Sequence, residues 1–189
     1  MKSIENNIEN TIIINKSKFI TKLYKINNKI DIINILNELK DNYKDATHIC
    51  YAYIFDGLTR CTDDKEPQGT AGIPILNILE KNDLNYILCA VIRYYGGVKL
   101  GAPGLTRAYS NSAKEAVKLA NIIELTDALL IKLEINYNDI KVIDNLLKNS
   151  VITYKEYNNN IIYEAIVKEE VYNNLKCKKE IIKKIKTSL

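Results

Sequence analysis

Hydrophobic and polar positions along the first two thirds of the chain follow two different periods. Apolar runs, continuous or alternating with polar residues, predict strands at positions 12–14, 19–26, 47–55 and 86–94. Apolar residues at helical spacing predict a helix over about 32–43, one that carries Pro74 in its first turn, and one over about 102–121. In the last of these helices, a polar stripe opposite the apolar one contains Arg107, Asn111, Lys114 and Lys118. We therefore expect Arg107 to be exposed near the helix start.

The strand at 86–94 is apolar on both faces as far as Arg93, which is typical of an interior strand. Such a strand brings Arg93 to an edge of the predicted sheet. The strand at 47–55 alternates, so His48 and Cys50 lie on one side of it.

The last third of the chain has a different character, because no glycine or proline follows Asn121. It predicts a strand at 129–135, a helix at 139–147, a hairpin of strands at 151–157 and 161–167, and a helical stretch from Glu169. Residues 181–189 fit either a longer helix or a closing strand. The order β-α-β-β-α is most of a ferredoxin-like unit, so we expect two α+β domains, residues 1–124 and 125–189.

Composition and charge limit the classes of protein to which the chain can belong. Hydrophobic residues make up 47% and charged residues 26%, which is ordinary for a folded globular protein. The N-terminus lacks the features of a secretion signal, no apolar run is long enough to span a bilayer, and the four cysteines show no C-x-x-C spacing. We expect a cytoplasmic protein that has no membrane partner.

The net charge is only +4, but six of the last fourteen residues are lysines. Such a segment can attract RNA, a ribosomal surface or anionic lipid. A solvated face on a terminal element is the simpler interpretation of the same lysines.

The first candidate functional segment is a glycine-rich loop that runs from Asp63 into a helix. Three carboxylates precede Pro67, and two glycines then flank Thr70. Thr70 is placed to cap the helix or to stand beside its unpaired N–H groups, which attract anions. The carboxylates could hold Mg²⁺, but we predict no metal and no cofactor.

The second candidate segment runs from Arg93 to Arg107 and contains four glycines and three cations. Glycines let the backbone approach a ligand closely, and the cations Arg93, Lys99 and Arg107 suit a phosphate, a carboxylate or a nucleic-acid backbone. Neither G-x-x-x-x-G-K-[ST] nor G-x-G-x-x-G occurs, so a P-loop or a dinucleotide site is not supported. His48 is the only histidine, and a packed strand histidine is a simpler explanation for it than a metal ligand beside Cys50.

These segments predict a binding surface with no assigned catalytic residue. Its members are His48, Asp63, Asp64, Glu66, Gly69, Thr70, Gly72, Arg93, Tyr94, Gly96, Gly97, Lys99, Gly101, Gly104, Arg107 and Tyr109. The alternative is purely structural: the glycines make tight turns, and the acids of the first loop pair with the cations of the second.

The two loops resemble the signatures of the YigZ/IMPACT family, a group of small uncharacterised or translation-linked proteins. The match consists of Asp45-Ala46 with His48, D-D-x-E-P-x-G-T-A-G-x-P at 63–74 and R-Y-[YF]-G-G-x-K-L-G-x-x-G-L-x-R-A-Y at 93–109. Lys65 and Pro103 stand where the family generally has glycine. The resemblance implies a first domain that is an α/β sandwich with left-handed β-α-β connection, like a domain of a small-subunit ribosomal protein, and a ferredoxin-like second domain.

The resulting functional expectation is a non-enzymatic regulatory or binding protein linked to translation. Its expected partner is RNA, the ribosome or a translation-associated protein, and the sequence leaves the oligomeric state open. The alternative is an enzyme that acts on a phosphorylated small molecule at the same loops, with a carboxylate binding Mg²⁺ or acting as a base.

Overall fold

The chain forms two compact units, Met1–Ile123 and Glu124–Leu189. The computed structural model describes residues 1–188. Both units combine helices with antiparallel sheets, so the expectation of a mixed α+β protein is confirmed. Within the described residues, no helix has the length and apolar character needed to cross a membrane.

The strands of the first unit are Lys2–Ile4 (β1), Ile8–Ile14 (β2), Ser17–Lys25 (β3), His48–Phe55 (β4), Leu58–Thr62 (β5), Ile87–Tyr94 (β6) and Ile122–Glu124 (β7). A five-stranded antiparallel sheet has the order β2-β3-β6-β4-β5, and β1 pairs with β7. Asn15 and Lys16 join β2 to β3 with φ of 46° and 64°. Two positive φ values at the centre of a two-residue loop are typical of the tight turns that match the strand twist.

Three helices cover the two faces of this sheet: Lys29–Asn42 (α1), Gly72–Lys81 (α2) and Gly101–Leu119 (α3). Alternate residues of β6 point to opposite faces. Cys89 and Val91 pack in the core that contains α2 and α3, whereas Leu88 and Ile92 pack in the core that contains α1. The prediction that β6 is an interior strand is confirmed, since its first seven residues are all buried.

The second unit contains Thr126–Ile135 (β8), Ile140–Leu146 (α4), Val151–Tyr157 (β9), Ile161–Val167 (β10), Glu169–Asn174 (α5) and Lys178–Thr187 (β11), with a short 3₁₀ turn at Tyr137–Asp139. Its four-stranded antiparallel sheet has the order β11-β8-β10-β9. Both hairpin strands, β9 and β10, have the predicted bounds. One face of the sheet, including Ile131, Leu133, Tyr163 and Ala165, packs into a core with Ile143 of α4.

The helix predicted from Glu169 does not continue to the end of the chain. The helix that begins at Glu169 lasts six residues, and β11 then pairs with β8 along its whole length. Of the segment 181–189 that the sequence left open, residues 181–187 therefore form a closing strand, and Leu189 lies outside the described residues. The short strands β1, β5 and β7 were not predicted, because runs of three to five residues carry too little periodicity.

Candidate functional site

Asp63 caps the start of α2 from outside the helix. Its Oδ1 accepts hydrogen bonds from the backbone N–H groups of Ala71 (2.9 Å) and Gly72 (2.8 Å), and its Oδ2 accepts one from Gly69 (2.8 Å). Burial by itself raises the pKa of Asp63, but these three backbone donors outweigh it and bring the pKa below its ordinary value. The helix start therefore already holds an anion, and that anion is the protein's own carboxylate.

Thr70 does not take the role that the sequence suggested for it. Its hydroxyl donates to the carbonyl oxygen of Pro67 (2.6 Å), and the residue is buried. The N–H groups that Thr70 was expected to cap, or to share with an anionic ligand, are bonded to Asp63 instead. The sequence could not anticipate this because Asp63 lies eight residues before the helix N-cap.

Asp64 attaches the same loop to β4. Its Oδ2 accepts a hydrogen bond from the backbone N–H of Ile49 (2.6 Å), and its carbonyl oxygen lies 2.7 Å from Nδ1 of His48. Asp64 and Lys65 have backbone φ angles of 41° and 69°. These lie in the left-handed region, which residues other than glycine rarely adopt. The glycine that the loop resemblance implies at the position of Lys65 would adopt this backbone conformation without strain.

Glu66, the third carboxylate, lies at the centre of a buried polar network. Its Oε1 accepts from Arg93 Nη1 (2.5 Å) and from the hydroxyl of Tyr109 (2.8 Å), and its Oε2 lies 3.8 Å from His48 Nε2. The side chains of Glu66 and Arg93 are 3% and 6% exposed. An ion pair formed this far from solvent is part of the folded core.

Arg93 therefore belongs to the protein interior and does not contribute a cation to the surface. Its guanidinium carbon lies 5.6 Å from the ring centres of both Phe19 and Tyr95. Among the described residues, its Nε has no hydrogen-bond partner. The sequence predicted Arg93 at an edge of the sheet, together with the cations Lys99 and Arg107. This prediction is corrected, because Arg93 forms a buried ion pair with Glu66, which is 27 residues away in sequence.

Cys50 is buried next to Tyr109 of this network and is unsuited to nucleophilic or metal chemistry. Its thiol donates to the carbonyl oxygen of Asp63 (3.0 Å) and lies 3.4 Å from the hydroxyl of Tyr109. Burial raises the pKa of the Cys50 thiol to about 12, so the thiolate that would attack or bind a metal does not form near neutral pH. Within residues 1–188, no cluster of three or more histidine, cysteine or acidic side chains could hold a metal ion.

The second loop and the strand end before it are held to the α1–β4 turn and to the start of β3. The hydroxyl of Tyr94 donates to Asp45 (2.9 Å), and the backbone N–H of Gly96 donates to the hydroxyl of Ser17 (3.2 Å). A Cβ at Gly96 would lie 2.0 Å from the carbonyl carbon of Lys16, so only glycine fits there. A structural role explains this glycine fully.

The other glycines of the predicted surface have similarly local roles. Gly72 lies against the backbone of Thr62, and Gly104 lies against the side chain of Leu100. Positive φ values are found at Gly69, Gly97 and Gly101.

Lys99 and Arg107 are the two predicted cations that remain exposed. Arg107 lies on α3, as its position in the polar stripe predicted, and lines a cleft of about 570 Å³ together with Gly104 and Lys114. The structure thus divides the predicted surface in two. His48, the three carboxylates, Arg93 and Tyr109 form an internally bonded group, and Lys99 and Arg107 face solvent.

Sequence reasoning missed two residues that share this solvent-facing region, Lys81 and Asn15. Lys81 ends α2 and Asn15 lies in the β2–β3 turn, so only the tertiary fold brings them close to α3. Lys114, in contrast, had a signal in the sequence, since it lies in the same polar stripe as Arg107.

Half of the lysines near the C-terminus have partners within the second unit. Lys178 pairs with Glu134, Lys186 pairs with Asp127, and Lys179 donates to the carbonyl oxygens of Tyr172 (2.6 Å) and Leu175 (2.7 Å). Lys183 and Lys184 are exposed. For these three lysines, the contacts favour the simpler interpretation of a terminal element with a structural role.

Comparison with known proteins agrees with the loop signatures. A model of the Impact N-terminal domain matches residues 15–117. The chain is 35% identical over 170 residues to the IMPACT family member YvyE of Bacillus subtilis, across 87% of this chain and 78% of that protein. It is 31% identical over 139 residues to the IMPACT family member YigZ of Escherichia coli, across 71% and 68% of the two chains.

A solved structure supports the fold over nearly the whole chain. A crystal structure described as that of a hypothetical protein superposes with a TM-score of 0.68 and 25% identity, covering 92% of this chain and 87% of the other. The resemblance drawn from the two loop signatures is confirmed, and this chain belongs to the IMPACT family, which includes YigZ.

Proposed function

We propose that this chain is a non-enzymatic regulatory protein that binds RNA phosphate through its first unit, either in free RNA or on the ribosome. The observation that carries the proposal is that the acidic side chains of the first loop are bonded within the protein, whereas two basic side chains of the second loop are exposed. The carboxylates are bonded to the protein itself, whereas Lys99 and Arg107 are exposed. A surface of this kind attracts phosphate without performing chemistry on it.

The bonding of the carboxylates argues against the enzymatic alternative. A general base or a Mg²⁺ ligand needs lone pairs directed at the substrate or the metal. Both carboxylate oxygens of Asp63 accept hydrogen bonds from backbone N–H groups, and Oε1 of Glu66 accepts hydrogen bonds from Arg93 and Tyr109. Asp63 would have to break internal bonds before it could act, and the Glu66 side chain is only 3% exposed.

A connection to translation is the further part of the proposal, and it rests on the family. The second unit has the element order β-α-β-β-α-β and the sheet order β11-β8-β10-β9, from which we infer a ferredoxin-like fold. For the first unit, we infer the ribosomal-protein-like sandwich with a left-handed β-α-β connection that the family resemblance implies. We also infer a cytoplasmic location, which suits the four unpaired cysteines.

The test is a binding measurement on a double variant, Lys99→Ala with Arg107→Ala. Arg93 is left intact, because replacing a buried ion-pair partner would damage the fold. The matched control is Lys29→Ala with Lys40→Ala, two exposed lysines on α1, which covers the opposite face of the sheet. Affinity for a fluorescent single-stranded RNA is measured by anisotropy over a range of salt concentrations, and ribosome binding by co-sedimentation.

We expect the site variant to weaken RNA binding while the control does not. Each contact to a phosphate of a single strand contributes about 0.7 to the slope of log affinity against log salt, so the slope should fall by about 1.4. An unchanged slope would contradict the proposal. Thermal stabilisation by a nucleotide with Mg²⁺, in the absence of RNA binding, would favour the enzyme instead.

A further inference from the structure

A groove between α2 and α3 continues from Arg107 away from the glycine-rich loops. It consists of two adjoining clefts, of about 570 and 420 Å³, that share Ile78 and Lys114 in their lining. We call this feature the α2–α3 groove. Each cleft has the size of a pocket that holds a small ligand, which is about 300–1,000 Å³. Joined end to end, they offer a longer channel than one small molecule fills.

The lining of the α2–α3 groove carries charge of a single sign. Four cations line it, Arg107, Lys114, Lys118 and Lys81, and within the described part of the chain no acidic side chain does. Lys118 is partly neutralised by Glu115, whose carboxylate lies 2.7 Å from its Nζ. The other three form no ion pair with any described residue. The groove therefore holds uncompensated positive charge.

The cations are spread along the groove. Arg107, Lys114 and Lys118 lie on one face of α3, at intervals of about 10 Å and about 6 Å along the helix axis. A single phosphate group or a mononucleotide would neutralise the charge at one place only. A ligand with repeated charges along its length matches the whole row.

The floor and walls of the groove indicate what kind of polyanion fits. Apolar side chains, among them Ile78 and Val117, form part of its lining, and Ser110 and Asn111 supply hydrogen-bonding groups beside the cations. Proteins that bind single-stranded nucleic acids use a basic groove that follows the backbone, together with aromatic side chains on which the bases stack. In this groove Ile78 and Val117 supply apolar contact in place of aromatic stacking. An acidic protein segment would use the cations but would leave the apolar floor without a matching partner.

We propose that the α2–α3 groove holds the backbone of a single-stranded RNA, with phosphates of that backbone at Arg107, Lys114 and Lys81. This inference rests on the proposed function and extends it to residues outside the two loops. It assigns Lys81 and Lys114 as binding residues that the loop signatures do not include.

The test compares the double variant Lys81→Ala with Lys114→Ala against the wild-type protein, the loop variant Lys99→Ala with Arg107→Ala, and the α1 control described above. The probe is a 12-nucleotide single-stranded RNA, measured by anisotropy at several salt concentrations. A duplex of the same length and polyglutamate serve as competitors. Thermal unfolding checks that each variant is folded.

We expect the groove variant to bind the single strand about tenfold more weakly at low salt, with a salt slope lower by about 1.4. If it binds like the wild type while the loop variant is impaired, the groove assignment is wrong and the proposed function stands. If the wild type binds no RNA, both fail. Stronger competition by the duplex, or by polyglutamate at equal charge, would overturn the choice of single-stranded RNA.

Discussion

At the scale of single residues, Glu66 and Arg93 are the pair on which the site depends. Their side chains are almost fully buried, and Glu66 also accepts a hydrogen bond from Tyr109. Taking two charges out of water is costly, and their mutual attraction offsets that cost only while both are present. The pair therefore organises the two loops around one fixed contact, whether or not it adds net stability.

The expected consequence is that Glu66→Gln is strongly destabilising. The amide would preserve the shape of the side chain but would leave the Arg93 charge buried without its partner, which costs about 3–5 kcal/mol. Urea denaturation followed by circular dichroism measures this loss. Glu80→Gln, at an exposed position on α2, is the matched control and should change stability by less than about 0.5 kcal/mol.

A double variant separates the loss of the pair from a general loss of packing. Glu66→Gln combined with Arg93→Met removes both charges, so its cost should be well below the sum of the two single variants. Additive costs would mean that the two side chains do not stabilise each other, and the description of the network would have to be abandoned.

At the scale of secondary-structure elements, the second loop is held by contact between Gly96 and the β2–β3 turn. The backbone there is so close that an added Cβ would lie 2.0 Å from Lys16. The neighbouring Gly97 differs, since nothing lies within 4 Å of the position of its Cβ and its φ is +84°. The two glycines thus separate the cost of a steric clash from the cost of a left-handed backbone.

We predict that Gly96→Ala destabilises the first unit more than Gly97→Ala does. The clash at Gly96 is with backbone atoms, which cannot move aside as a flexible side chain would, so a cost of about 3 kcal/mol is expected. At Gly97 only the left-handed conformation is penalised, by about 1–2 kcal/mol. Urea denaturation of both variants gives the comparison. Equal costs would show that the loop can move away from the hairpin.

The elements that the sequence predicted well are those whose pattern is local. The strand β10 is apolar at every position except Glu164, and β6 is a continuous apolar run as far as Arg93, so each was recognisable without knowledge of its partners. In β11 the lysine-rich sequence and a register shift between Ile181 and Lys183 obscure the alternation. Its conformation is decided by pairing with β8, which lies more than forty residues earlier.

In the candidate site, too, local patterns were predictable from the sequence and contacts between distant residues were not. The loop signatures showed where it lies, because glycines, acids and cations are concentrated in two short segments. They could not show what each side chain does, since Asp63 bonds to the start of α2, Arg93 to Glu66 and Gly96 to the hairpin turn. Those partners are 9 to 79 residues away in sequence. Contacts at such separations are set by the fold as a whole.

At the scale of the whole molecule, each unit has its own hydrophobic core. The two cores of the first unit draw on residues from Ile4 to Val117, and that of the second on residues from Leu129 to Leu175. Lys99, Arg107 and the α2–α3 groove all belong to the first unit. The exposed lysines of β11, Lys183 and Lys184, belong to the second. Separating the units therefore separates two candidate sources of affinity for RNA.

We expect a fragment of residues 1–125, which retains β7 together with its partner β1, to unfold cooperatively and to bind single-stranded RNA with at least half of the full-length affinity. At this size a domain buries enough surface to fold alone. Circular dichroism in urea tests the folding, and anisotropy at matched salt tests the binding. If the folded fragment loses most of its affinity, the β11 lysines contribute the missing charge, and the first unit by itself does not account for RNA binding.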